Sequence, residues 1–140
     1  RHGGGGVAVW GAGGGGGLAG GLCAMGATVE PGFDAVADVV WLEAILERVD
    51  LVITGEGKLD RTSFQGKVVG GVLDLAEGIG VAHRAVIAGQ VTDEAREEIA
   101  AMNGVIALAL TDRVWQAGEA FARAALLVEE SAVEIVRSAE

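Results

Sequence analysis

The sequence predicts an α/β fold in which a parallel sheet is flanked by helices. Three short apolar runs, at residues 51–54, 84–88 and 105–110, recur without alternating apolar and polar positions. Such runs are typical of strands that are buried on both faces of a sheet. Helical patterns separate the runs, and a repeat of strand and helix favours parallel pairing with helices covering the sheet.

The first part of the chain, residues 1–49, is predicted to form a glycine-rich loop followed by helices. Twelve of the 24 glycines fall within the first 21 residues. Ordering so many glycines costs backbone entropy, so we expect this stretch to be flexible or to be held around a ligand. Helical patterns follow at residues 18–27 and 33–48, and Pro31 and Gly32 separate them.

The remainder, residues 50–140, is predicted to form a βαβαβα unit within the same single domain. We expect helices over residues 67–79, 92–102 and 114–137. Gly80 provides an end for the first of these helices, and Thr92 is a suitable N-cap for the second. In the third helix, an apolar stripe that includes Phe121 and Val128 is expected to face the core.

The composition excludes several classes of function. The chain has 10 basic and 20 acidic residues, a net charge of −10, which disfavours nucleic acid and anionic membranes as partners. Two histidines and one cysteine cannot build a structural zinc site or a disulfide framework. No apolar run is long enough to predict a transmembrane helix. The lone cysteine, Cys23, is expected to be a buried thiol, which fits a reducing cytoplasm, and we expect a cytoplasmic protein. Because the chain begins at Arg1 without a leader pattern, we interpret it as part of a longer protein without a signal peptide.

The segment "LVITGEGKLDRTSFQGK", residues 51–67, contains both lysines of the chain, Lys58 and Lys67. It is predicted to leave the carboxyl end of a strand at Thr54 and to form a loop of more than ten residues. Ligands of open parallel sheets bind outside the carboxyl ends of the strands, and loops of this length are unusual in a compact α/β unit. A ligand-binding role is therefore favoured over the alternative of a solvated turn that Asp60 and Thr62 merely cap.

The residue types in this segment suit phosphate chemistry. Gly55 and Gly57 permit a close backbone approach, and Gly66 precedes a helix whose first N–H groups could bind an anion. Lysine side chains neutralise phosphate charge, while Glu56 or Asp60 could hold Mg²⁺ or accept a proton from an attacking hydroxyl. The segment matches neither the Walker A loop nor the dinucleotide-binding fingerprint.

The stretch "DLVITGEGKLDRTSFQGK" resembles the characteristic segment of the bacterial glycerate kinase family, D-L-V-I-T-G-E-G-R/K-x-D-x-Q-T/S-x-x-G-K. Two further stretches are similar to segments of the same family: "GAGGGGGLAGGLCAMGATVEPGFDAV" at residues 11–36 and "GVAHRAVIAGQV" at residues 80–91. Thr62 stands where the family usually has Gln, and Gly14 and Gly15 replace a usual Ala-Ala pair.

The resemblance implies ATP- and Mg²⁺-dependent phosphorylation of a hydroxyl of glycerate, commonly giving 2-phosphoglycerate. It also implies the C-terminal portion of a two-domain kinase whose flavodoxin-like, Rossmann-like domain is completed by an N-terminal part of the same enzyme. An apolar surface left by such a division predicts self-association into a homo-oligomer, or poor stability. The alternative is a non-catalytic α/β module that binds a phosphorylated small molecule, or a degenerate kinase fragment.

The resemblance supports Thr54, Gly55, Glu56, Gly57, Asp60, Gly66 and Lys67 as site positions, and the roles that follow are interpretations from the chemistry of the residues. Asp60 is the preferred catalytic base or Mg²⁺ ligand, Glu56 is the second acid and candidate metal ligand, and Lys67 is a catalytic phosphate ligand. The expected substrate- and phosphate-binding positions are Thr54, Gly55, Gly57, Lys58, Gly66, Gly13 and Gly15.

Overall fold

The computed structural model describes residues 17–139 of the chain. Its elements, in order, are α1 (Leu18–Ala24), α2 (Gly32–Val39), α3 (Leu42–Leu46), β1 (Leu51–Leu59), α4 (Val68–Ile79), β2 (His83–Val91), α5 (Asp93–Ala100), β3 (Val105–Ala109), α6 (Ala117–Ala122) and α7 (Ala124–Ala139). A 3₁₀ turn at Arg61–Phe64 follows β1, and another at Leu110–Arg113 follows β3. None of the helices within residues 17–139 is both long and apolar enough to cross a bilayer.

The three strands form one parallel sheet in the order β1-β2-β3, which confirms the predicted fold class. Leu51 pairs with His83 at the start of β1, and Arg84 pairs with Val105 at the start of β3. The carboxyl ends of all three strands therefore lie at the same edge of the sheet.

The sequence of the central strand, β2, does not alternate between apolar and polar residues because both faces of the strand are buried. Val86 and Ala88 pack into a core with α4 and α5, whereas Ala85 and Ile87 pack into a second core with α6 and α7. All four residues are buried, as expected for a strand that is covered on both faces.

The predicted extent of the first strand was wrong. β1 continues five residues beyond Thr54, because Glu56 pairs with Ala88, Lys58 with Gln90 and Leu59 with Val91. Backbone pairing with β2 overrides the low strand propensity of glycine, glutamate and lysine. Residues 55–59, interpreted as the first part of a long loop, are therefore strand, and the connection to α4 shortens to residues 60–67. The length of this connection no longer distinguishes a ligand-binding loop from a turn.

Two predicted helices are divided in the structure. The helix predicted over residues 33–48 is interrupted at Trp41, which has a φ of 58° and separates α2 from α3. The helix predicted over residues 114–137 is replaced by α6 and α7, which meet at Arg123. The buried residues of α7 are Leu127, Ser131 and Ile135, and of these only Ile135 belongs to the predicted stripe. Val114 and Ala132 of that stripe pack against the same core. Phe121 and Val128 are exposed.

Candidate functional site

The glycine–acid segment of β1 forms one wall of a large cavity at the carboxyl half of the sheet. The cavity has a volume of about 700 Å³ and lies between the sheet and helices α6 and α7. Four predicted site residues line it: Thr54, Gly55, Glu56 and Gly57. The remaining lining residues are Ile53, Ile87, Ala88, Gly89, Gln90, Leu110, Thr111, Ala117, Ala120, Phe121, Ala124 and Val128.

Two glycines of this wall are required by the close approach of the strands. A Cβ added at Gly55 would lie 2.2 Å from the carbonyl oxygen of Ile87, and one added at Gly89 would lie 2.5 Å from the carbonyl oxygen of Gly57. A Cβ at Gly57 would meet no atom of residues 17–139 within 4 Å. The floor of the cavity at this point is therefore backbone, with open space beside Gly57.

Glu56 lines the cavity, but its side chain lies on the other face of the sheet, because it pairs with Ala88, which packs into the core with α4 and α5. Glu56 carries an unpaired acceptor on that face. Its Oε1 atom is buried and receives no hydrogen bond from the described residues. Burying a polar atom without a partner costs about 1–3 kcal/mol, and more for a charged group. A bound ligand or cation that supplies the missing partner would recover this free energy.

The loop after β1 is organised around Asp60. Its Oδ1 atom accepts hydrogen bonds from the Thr62 backbone N–H at 2.9 Å and from the Thr62 hydroxyl at 2.7 Å. The Asp60 N–H donates to the Ser63 hydroxyl at 3.1 Å, which completes a capping box for the 3₁₀ turn. Asp60 therefore caps the turn, as the alternative interpretation of the sequence predicted. This capping role uses only one of its two carboxylate oxygens. No residue within 17–139 donates a hydrogen bond to Oδ2 of Asp60.

Lys67 is joined to this network through Thr62. Gly66 has a φ of 74°, a left-handed conformation that glycine adopts readily, and the resulting turn places Lys67 at the N-cap of α4. The Lys67 ammonium donates to the Thr62 hydroxyl at 2.5 Å. The structure thus confirms that Gly66 precedes a helix and brings Asp60 and Lys67 to either side of one hydroxyl group.

Close packing holds this loop against α4. A Cβ added at Gly70 of α4 would lie 2.8 Å from the Cα of Phe64 and 3.0 Å from the carbonyl oxygen of Ser63. Ser63, which belongs to the turn, is fully buried. The 3₁₀ turn is therefore fixed to the helix by backbone contact.

The charges around the carboxyl end of β1 affect one another. Hydrogen bonds from the Thr62 hydroxyl and N–H, aided by the charges of Lys67 and Lys58, hold the pKa of Asp60 below its ordinary value of 3.8. The pKa of Glu94 at the start of α5 is lowered by its own backbone N–H and by the Thr92 hydroxyl, and the charge of Lys58 contributes to this shift. Lys58 is thus close enough to interact with both carboxylates.

The predicted site residues form two groups. Thr54, Gly55, Glu56 and Gly57 line the cavity, whereas Lys58, Asp60, Gly66 and Lys67 lie beyond its wall at the end of β1. Gly13 and Gly15 lie outside the described residues.

Sequence reasoning missed three residues of this region. Gln90 and Thr111 line the cavity, and Glu94 joins the charged group at the end of β1. Gln90 lies near the carboxyl end of β2, and Thr111 follows β3. Extending the carboxyl-end rule from the first strand to its neighbours would have identified both positions.

A second cavity, of about 560 Å³, lies beside α2 and α3 and contains none of the predicted site residues. Its acidic lining residues are Asp34, Asp38, Glu43 and Glu47. Four carboxylates without a basic lining residue would repel an anionic substrate. The cavity beside β1 therefore suits a phosphorylated ligand better.

Comparison with known proteins identifies the family. A sequence profile described as "Glycerate kinase family" matches residues 5–140. This chain belongs to the glycerate kinase family. The family match covers nearly all of the chain, including both groups of candidate site residues.

Individual relatives match shorter stretches of the chain. A glycerate kinase from Neisseria meningitidis is 51% identical over 44% of this chain and 17% of its own length. A glycerate 2-kinase from Escherichia coli is 40% identical over 61% of this chain and 23% of its own length. An uncharacterized protein from Synechocystis is 52% identical over 46% of this chain and 18% of its own length. The matched segments thus account for less than a quarter of each of these relatives. No solved structure matches the chain.

Proposed function

We propose that this glycerate kinase family chain belongs to an enzyme that transfers phosphate from ATP to a hydroxyl of glycerate, giving 2-phosphoglycerate. The observation that carries the proposal is the Asp60–Thr62–Lys67 network beside the cavity. It combines a carboxylate, a cation and a helix N-terminus, which are the groups that phosphoryl transfer requires. The printed names of the Neisseria and Escherichia relatives support glycerate as the acceptor.

In this proposal, Lys67 binds the transferred phosphate together with the first N–H groups of α4. A cation at a helix N-terminus is unfavourable for the helix alone, and a phosphate between them removes this conflict. Lys58, exposed near the end of β1, contributes positive charge to the approach of the anionic substrates.

Asp60 is suited to hold Mg²⁺, the metal that the family resemblance implies. Its Oδ2 atom receives no hydrogen bond within residues 17–139, and a depressed pKa keeps the carboxylate ionised while making it a weak proton acceptor. Mg²⁺ bound to protein commonly uses only one or two carboxylates together with water and substrate phosphates, so a single carboxylate at this position suits the role. When bound, the ion would neutralise charge on the phosphates.

We further propose that other residues of the same enzyme complete the site, because the matched segments are short parts of the relatives. We expect the enzyme to act in the cytoplasm.

The proposal is tested by a coupled assay of ADP formation with D-glycerate, ATP and Mg²⁺ on the complete enzyme to which this chain belongs. Phosphorus NMR of the product distinguishes 2-phosphoglycerate from 3-phosphoglycerate. The expected result is ADP formation that requires glycerate and yields the 2-phosphate. Binding of phosphoglycerate without turnover would overturn the kinase assignment and support a non-catalytic binding module.

A further inference from the structure

We propose that the groove between α2 and α3 binds a basic, amphipathic segment from the part of the same enzyme that lies outside this chain. This groove is the cavity of about 560 Å³ that contains none of the predicted site residues. The inference rests on one part of the proposed function, namely that the chain belongs to a longer enzyme, and it does not depend on the reaction. The partner is cationic, whereas glycerate and ATP are anionic.

The two helices that form the groove bury little of their apolar surface. α2 is amphipathic, yet it contains no buried residue, and α3 contains only one, Leu46. Trp41, which lines the groove, is 75% exposed. The large apolar side chains on or between these helices that are about half exposed or more are Val36, Val39, Val40, Trp41 and Ile45. Such a concentration of exposed apolar side chains marks an interaction surface.

The groove is a fixed surface because both helices are anchored to α4. A Cβ added at Gly71 of α4 would lie 2.5 Å from the ring of Phe33 in α2. Leu42 and Leu46 of α3 pack into a core cluster with Ala76 of α4. A bound segment would therefore meet a groove that is already formed.

The rim of the groove specifies the charge of its partner. Asp34 and Asp38 lie four residues apart on α2, and Glu43 and Glu47 lie four residues apart along α3 and its C-cap. None of the four forms an ion pair with another residue in the range 17–139. Carboxylates at this spacing repel each other and destabilise a helix. Lysine or arginine side chains of a partner would remove this repulsion, and the ring of Trp41 attracts the same cations.

The carboxylates are spaced for several cationic groups rather than for one metal ion. Among residues 17–139, no three acidic or other metal-binding side chains lie close enough together to hold an ion. Between the acids, the groove is lined by apolar side chains that include Phe33, Leu42 and Leu75. A protein segment that carries both cationic and apolar side chains therefore matches the whole groove, as in other complexes that place an amphipathic segment in a groove.

The remainder of the enzyme is the source that best fits this groove. The matched stretches amount to 17% and 23% of the Neisseria and Escherichia relatives, so an enzyme of that kind has most of its residues outside this chain. A second copy of this chain is a poor partner, because its net charge is −10. Four of its arginines, Arg84, Arg96, Arg113 and Arg123, are already paired with carboxylates of their own chain.

The test uses the sign of a change in the melting temperature of the complete enzyme. Asp38→Asn combined with Glu47→Gln removes one carboxylate from each pair. Both residues lie at the C-terminal ends of their helices, where negative charge is unfavourable, so without a partner their removal should raise the melting temperature. With a basic segment in the groove, the melting temperature should instead fall by roughly 2–4 °C, because the cations lose their partners. High salt should reduce this decrease.

Glu129→Gln combined with Glu130→Gln is the matched control. Both residues are exposed on α7, and the double substitution removes the same number of charges. The melting temperature of this control should stay close to that of the wild type. A melting temperature of the Asp38→Asn, Glu47→Gln variant that equals or exceeds the wild-type value would overturn the inference.

Two further measurements identify the occupant and separate the inference from the proposed function. Carbodiimide cross-linking joins a carboxylate to a lysine that it contacts, and it should link the acids of the groove to the same polypeptide outside residues 1–140. Links between two polypeptides would overturn the assignment to the same enzyme. If the complete enzyme forms ADP with glycerate but the variant is stabilised, the docking inference fails and the kinase assignment stands. If the variant is destabilised but no ADP forms, the docking inference stands and the kinase assignment fails.

Discussion

The two faces of the sheet are built differently. On the face covered by α4 and α5, Leu59, Val69, Leu73 and Val86 are at most 2% exposed and belong to one continuous core. On the face covered by α6 and α7, the core is smaller and a cavity of about 700 Å³ remains beside β1. One face thus supplies most of the packing, while the other leaves space for a ligand.

Local sequence accounts for this difference. Gly70 allows α4 to contact the backbone of the loop after β1, which closes that face. On the other face, α6 has only six residues and the chain breaks at Arg123 before α7 begins. Phe121 consequently remains 89% exposed at the cavity. The difference predicts that substitutions on the two faces have separable effects on stability and on binding.

The largest expected effect on stability is on the closed face. Leu73→Ala should lower the free energy of unfolding by about 2–5 kcal/mol, because it removes a buried side chain and leaves a cavity. Phe121→Ala on the open face should change it by about 0.5 kcal/mol or less, because the side chain is exposed. Urea unfolding of both variants measures the two values. Similar decreases in the free energy of unfolding for the two substitutions would show that the two faces of the sheet do not differ in packing.

The next effect concerns catalysis at the end of β1. Lys67→Ala should lower kcat/KM for glycerate phosphorylation by roughly 100-fold, the loss expected when one group that stabilises transition-state charge is removed. Its melting temperature should change little, because the side chain is exposed.

Lys58→Ala is the matched control for Lys67, since it removes the other lysine of the chain. Its kcat/KM should fall much less than that of Lys67→Ala. Near-normal turnover in Lys67→Ala, or a loss of activity that only follows unfolding, would contradict the phosphate role of Lys67.

Two glycines of the cavity floor, Gly89 and Gly57, should respond differently to substitution by alanine. Gly89→Ala should destabilise the fold by about 1–3 kcal/mol, because the added Cβ would lie 2.5 Å from the carbonyl oxygen of Gly57. Gly57→Ala introduces no such clash with the described residues, so its stability should match that of the wild type. Urea unfolding curves of the two variants test both statements. Equal losses of unfolding free energy in Gly57→Ala and Gly89→Ala would show that the close approach at Gly89 does not set its cost.

The smallest expected effect is a pH dependence that involves Asp60. Because its pKa is lowered in the folded protein, ionised Asp60 stabilises the fold above its unfolded pKa of about 3.8, and this contribution is lost as the pH falls through the folded value. Thr62→Val removes the hydroxyl that makes the largest contribution, so the pKa of Asp60 should rise. Melting temperatures should then differ from the wild type at neutral pH and converge in acid. Thr62→Ser retains a hydroxyl, so its melting temperature should match that of the wild type at every pH. A decrease in melting temperature at neutral pH equal to that of Thr62→Val would contradict this account.

The parallel sheet was predictable because its central strand has to be apolar on both faces. Residues 84–88 include four consecutive apolar residues that divide between two cores, and no surface strand would tolerate this pattern. The extent of β1 was not predictable in the same way. Glu56 and Lys58 enter the strand only because β2 supplies their backbone partners, and such long-range pairing leaves no periodic signal in the segment itself.

The site was predictable in its residue types but not in its geometry. Glycine, acid and lysine in one segment indicated phosphate chemistry, whereas the link from Lys67 to Asp60 through Thr62 depends on the left-handed turn at Gly66. On α7, Ile135 was predicted to be buried, whereas Leu127 and Ser131 were not, and Ser131 is polar. Its hydroxyl donates to the Leu127 carbonyl oxygen at 2.7 Å, which allows the side chain to be buried.

The position of β1 has a further consequence for solubility. Within the described residues, β1 is an edge strand of nine residues, and long unpaired edges are templates for aggregation. The sequence Gly55–Lys58 interrupts this edge with two glycines and two charged side chains, which disfavour the addition of another strand. Residues of the candidate site therefore also protect this edge against the addition of another strand. Replacing Glu56 and Lys58 with β-branched apolar residues would raise the strand propensity of the segment and expose an apolar edge at the same time.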